Sequence, residues 1–82
     1  MTNNVRELML RQGLKPSELA HLCDLTPASV YRILDNSTQS IDIDNLVLLC
    51  ASLQCEIADI YPSFEDEVVR VYGRIKAKRE LL

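Results

Sequence analysis

Lys15-Pro16-Ser17-Glu18-Leu19-Ala20-His21-Leu22-Cys23-Asp24-Leu25-Thr26-Pro27-Ala28-Ser29-Val30-Tyr31-Arg32-Ile33-Leu34 is the stretch that decides the fold. Pro16 and Pro27 each stand where a helix can begin, because proline pre-sets φ and a first-turn N–H needs no helical partner. Thr26, just before Pro27, is a good N-cap. The spacing predicts one helix over about 16–23, with Leu19, Ala20 and Cys23 on one face, and a second over about 27–34, with Val30 and Ile33 inward and Leu34 beside them. Asp24-Leu25 makes the tight turn between them, and the small Ala20 lets the two helices cross closely.

Working outward, helical spacing continues and strand-like alternation does not appear. Val5, Leu8, Met9 and Leu10 mark a helix over about 3–12, which Gly13 stops. Residues 35–40 form a polar loop. Asp42 can cap a helix of about 43–53, whose inward face is Leu46, Leu49, Cys50 and Leu53. A short helix of about 57–61 turns Ile57 and Ile60 inward. Pro62-Ser63 breaks the chain, and Ser63 with Asp66 resembles a capping box. The last helix spans about 64–81. Its apolar residues Phe64, Val68, Val71, Ile75 and Leu82 form a heptad seam, interrupted by Lys78. The expected architecture is all-α: a compact five-helix domain over 1–61 and a further C-terminal helix in 62–82.

Composition narrows the function. The chain has 82 residues and a net charge of −3, with 48% apolar and 26% charged residues, which is the profile of one globular domain. It lacks an apolar run long enough for a membrane span and an apolar N-terminal leader, so a cytoplasmic protein is expected. Cys23, Cys50 and Cys55 are odd in number and read as reduced thiols. No metal or other cofactor is expected. His21 is the one histidine, with no nucleophile or carboxylate at motif spacing, so an enzyme is not expected. Charge is uneven. Residues 1–40 balance, residues 41–67 hold seven acids and no base, and residues 68–82 hold five bases against Glu80. A non-specific nucleic-acid binder would be basic overall. Any such contact must therefore come from a small local surface.

Two short helices joined by a turn of about three residues make a helix-turn-helix pattern, which lays its second helix in the DNA major groove. A pair of short helices is also what any small bundle contains. The stretches Gly13–Ala20, Leu25-Thr26 and Val30–Leu34 resemble the phage Cro and repressor family of helix-turn-helix proteins, also called the xenobiotic-response-element type. Residues 43–60 resemble that family's fourth and fifth helices. The likeness covers about residues 4–61. It implies a five-helix, lambda-repressor-like fold and a phage or bacterial regulator, most often a repressor, that binds a two-fold operator as a homodimer. Four positions depart from the family pattern. Asp24 replaces a turn glycine and must adopt a left-handed conformation. Pro16 replaces a phosphate-binding Gln, and Asp35-Asn36 replaces Asn-Gly.

The family's base-reading positions match Pro27, Ala28 and Arg32. Arg32 suits a bidentate contact to guanine, and the two small residues suit a thymine methyl. Arg32 can instead pair with Asp35. Ser29 offers a hydroxyl and a backbone N–H to phosphate. Tyr31, Lys15, Asn36, Ser37, Thr38 and Gln39 are further expected backbone contacts, although loop solvation also accounts for the polar ones. Arg6 and Arg11 are additional cations for phosphate. Leu22, Leu34 and Leu48 occupy places that the family keeps polar and exposed, so they call for cover, from the last helix folded back or from a second subunit. In a dimer, Phe64, Val68, Val71, Tyr72 and Ile75 would pair across the axis, with Gly73 letting backbones approach. The expected partner is double-stranded DNA. A protein-interaction module, or an antitoxin that also binds its operator, is the alternative on this fold.

Overall fold

The computed structural model describes residues 1–37 and 40–82. The described residues form six helices and no strand: α1 (Val5–Gln12), α2 (Pro16–Cys23), α3 (Pro27–Leu34), α4 (Ile43–Leu53), α5 (Ile57–Ile60) and α6 (Phe64–Arg79). Local chemistry sets most of the boundaries. Gly13 ends α1 at φ 64°, the left-handed conformation that costs glycine least. Thr26 Oγ1 accepts the Ser29 N–H at 3.2 Å at the start of α3. Asp42 Oδ1 accepts the Asn45 N–H at 2.8 Å at the start of α4. Asp24 closes α2 at φ 53°, and the following Leu25 N–H bonds Ala20 O at 2.9 Å.

Val5, Leu8, Met9, Leu19, Ala20, Cys23, Val30, Ile33, Leu34, Leu46, Leu49, Leu53 and Ile60 form one core. Helix α2 packs on both α3 and α4, and α1 closes over those two. Leu34 is only 4% exposed, whereas Leu22 is 53% and Leu48 40% exposed. Leu34 therefore needs no cover from the last helix or a second subunit: it belongs to the core and lies beside Asn3, Asn4 and the Arg6, Glu7 and Leu10 face of α1. The Asn3 side-chain amide donates to Ile33 O at 2.9 Å, and the Asn3 backbone N–H donates to Asn36 Oδ1 at 2.7 Å. The next residue, Asn4, donates its N–H to Ile60 O at 2.7 Å. Asn3-Asn4 therefore straps the end of α3 to the end of α5.

Other expectations change as well. Leu10 and Ile57 are exposed rather than inward, because each lies off the stripe that meets the core. The Ser63 side chain makes no capping bond, so no capping box forms. Ser63 already has a turn-like ψ of 7°, and α6 instead starts from the Phe64 N–H bonding Tyr61 O at 3.0 Å. Helix α6 buries none of its residues. The chain measures 50 × 21 × 19 Å with a radius of gyration of 15.3 Å. A compact chain of this length would have a radius of about 12 Å. Helix α6 therefore does not fold back over the five-helix unit.

Candidate nucleic-acid interface

Helix α3 shows two faces. Val30, Ile33 and Leu34 hold it to the core, while Pro27, Ala28, Tyr31 and Arg32 are exposed. The exposed four are two i,i+4 pairs and so lie side by side on one face. All three expected base-reading residues thus share one solvent-facing surface. Arg32 does not pair with Asp35. The Asp35 carboxylate accepts from Arg6 at 3.1 Å instead, across the α1–α3 junction. Among the described residues Arg32 has no ion pair. It lines a cleft of about 150 Å³ between α3 and the start of α4, with Ser29, Ile33, Ser40, Ile41, Asp42 and Asn45.

The surrounding polar residues are less free than their types suggest. The Ser29 N–H is held by the Thr26 cap, and Thr26 Oγ1 also donates to Ser29 Oγ at 2.9 Å. Only the Ser29 hydroxyl proton remains to donate outward. Asn36 has φ 54°, and its side-chain oxygen is taken by Asn3. The Ser37 hydroxyl donates to Arg32 O at 3.2 Å, closing the end of α3. Lys15 is exposed at the start of α2, where its backbone N–H donates to Glu18 Oε1 at 2.9 Å. Thr38 and Gln39 lie outside the described residues. Arg11 pairs with Glu7 and Arg6 with Asp35, so neither is a free cation in this structure.

A second surface lies on α6. Phe64, Val68, Val71, Tyr72 and Ile75, with Met1 and Glu67, line one apolar groove of about 430 Å³. A Cβ placed on Gly73 would meet no atom of the rest of the chain within 4 Å. The cysteines are all free: Cys23 is buried, and Cys50 and Cys55 are partly buried. Burial, then the neighbouring Cys50 and Asp59, pushes the Cys55 thiol up from 9.0 to about 11. Among the described residues no helix is long and apolar enough to cross a membrane.

Sequence reasoning missed Asn3, which positions α3 from thirty residues away. It also missed Arg6 as the partner of Asp35. Neither has a local signal, since both contacts depend on how α1 crosses α3.

A short helix pair about a three-residue turn, with the second helix exposed along one face, defines a helix-turn-helix DNA-binding domain. Residues 4–65 match the Cro/C1-type HTH DNA-binding domain, and the chain belongs to that family. No curated protein and no solved structure gives a significant match to the chain.

Proposed function

We propose that the chain is a sequence-specific transcriptional regulator, acting as a repressor in the cytoplasm, which reads a two-fold operator in double-stranded DNA as a homodimer. Helix α3 enters the major groove, where Arg32 reads guanine and Pro27 and Ala28 meet apolar base edges. Lys15, Tyr31, the Ser29 hydroxyl and the loop from Asn36 through Ser37, Thr38 and Gln39 contact the backbone, which sets position rather than sequence. Helix α6 is the dimerisation element, through Phe64, Val68, Val71, Tyr72 and Ile75. The observation that carries this reading is the exposed Pro27-Ala28-Tyr31-Arg32 face, with Asp35 drawn away from Arg32 by Arg6. Selection of bound sequences from random duplex DNA tests it. A palindromic motif with half-sites about one helical turn apart is expected. Failure to enrich any motif would sink the reading.

A protein-interaction or antitoxin role is the second reading. Ile43, Val47 and Leu48 of α4 favour it, because they are exposed on a helix whose other face is core. Loss of operator binding on adding a partner that protects these residues from solvent exchange would establish that role.

A further inference from the structure

The homodimer reading leaves open how two α6 helices meet, and charge decides it. Phe64, Val68, Val71 and Ile75 recur at spacings of 4, 3 and 4, which makes them successive d, a, d and a positions of a heptad. Glu67 and Arg74 then fall at g, flanking the seam, and Arg79 falls at e. Gly73 falls at f, on the outside. The first turn of α6 carries Glu65, Asp66 and Glu67, and its last turn carries Lys76, Lys78 and Arg79.

Parallel pairing sets Lys78 against Lys78 of the second copy within the seam. It also sets Arg74 against Arg79 of the second copy, on both flanks. Like charges in such places oppose association. Antiparallel pairing removes each conflict. Phe64 then meets Ile75 of the second copy and Val68 meets its Val71, giving four apolar layers that stop short of Lys78. Glu67 faces Arg74 of the second copy on both sides of the axis. The acidic first turn of each helix lies opposite residues 72–74 of the other, and the helix dipoles oppose. In the single chain Glu67 is half-buried at the groove beside Met1 and its carboxylate is held by Arg70 of its own helix, whereas Arg74 has no ion pair among the described residues. Arg74 thus stands unpaired near one end of the seam, and Glu67 near the other must share the carboxylate that Arg70 already grips through both oxygens.

We infer that two copies of this chain dimerise through an antiparallel α6 pair, with Glu67 of each copy opposite Arg74 of the other. This rests on the homodimer reading and adds its orientation and register.

Sedimentation of Glu67→Arg and Arg74→Glu, separately and mixed, tests it. Each variant alone sets like charges together twice and should dimerise roughly tenfold or more weakly. An equimolar mixture should recover the native affinity as a heterodimer, because both cross-pairs are again Glu against Arg. The doubly substituted chain should recover it as a homodimer. If Arg74→Glu alone tightens the dimer, the pairing is parallel, since the introduced carboxylate would then face Arg79 of the second copy. If neither substitution changes association, the dimer uses another face. Both of these results overturn the inference while leaving the homodimer intact. An unmodified chain that stays monomeric at all concentrations overturns the homodimer reading itself.

Discussion

Replacing Arg32 by Ala separates base reading from mere attraction to DNA. The side chain is exposed and has no ion pair among the described residues, while its carbonyl bonds to Ser37 belong to the backbone and survive the change. The fold should therefore lose less than about 0.5 kcal/mol, the range of a surface substitution. Binding is another matter. A bidentate Arg–guanine contact discriminates by about 1–3 kcal/mol. A two-fold operator holds two of them, so the dimer should lose about 2–6 kcal/mol, or roughly 30-fold to 10⁴-fold in affinity. Fluorescence anisotropy against the selected operator and a scrambled duplex, at one salt concentration, reads both losses. The scrambled duplex should lose far less. Equal losses on both would make Arg32 a phosphate contact and refute the assignment. Arg6→Ala is the companion experiment. It frees Asp35, whose carboxylate then competes for Arg32 and adds negative charge near phosphate. A smaller operator-selective loss is expected.

The remaining predictions probe the dimer, the electrostatics and the core. Val71→Asp with Ile75→Asp should give monomers by sedimentation, abolish operator binding and keep most helical circular dichroism, because α6 buries none of its residues. A persisting dimer would move the interface to α4 and α5. Lys15 is the cation proposed for the DNA backbone at each half-site, with Arg32 kept for base edges, so the log–log salt dependence on random DNA should have a slope of about −2 for a dimer. A slope about four times as steep would bring in the basic end of α6. Leu49 is fully buried, and Leu49→Ala should cost about 2–5 kcal/mol in urea denaturation. A loss below about 1 kcal/mol would contradict the packing described. The folded chain holds the Cys55 proton more tightly than the unfolded chain, with values of about 11 and 9.0. This contribution is fully present below pH 9 and is lost as pH rises toward 11. Cys55→Ala should flatten that alkaline decline, and an unchanged decline would assign it to other groups.

What the sequence made legible was what neighbouring residues decide among themselves. Thr26-Pro27, Gly13 and Asp42 mark helix ends by bonds to residues at most four positions away, and the structure has them there. The inward Leu19, Val30, Leu46 and Leu53 follow from helical period alone. Leu34 was different. It lies beside Asn3 and α1, far upstream in the chain, and no local pattern encodes that crossing. The free state of Arg32 was hidden for the same reason, since Asp35 is nearer to it in sequence than Arg6 is. Ser63 failed in the opposite sense. The residue types of a cap were present, but the backbone after Pro62 had already turned, and the hydroxyl no longer met a first-turn N–H.

The Asn3-Asn4 strap has a mechanical consequence. It grips the end of the reading helix with one residue and, with the next, the end of α5, four residues before α6 begins. The dipeptide thus ties the reading helix to the short helix that leads into the long arm. An arm of sixteen residues is about 24 Å long. Swinging it by ~10° at its root displaces the tip by roughly 4 Å, more than the ~3.4 Å rise of one base-pair step. In the homodimer proposed above, the joint would work as a caliper. Loosening it at Asn3 or Asn4 would leave each half able to find its own short sequence, while blurring the ruler that says how far apart two such sequences must stand.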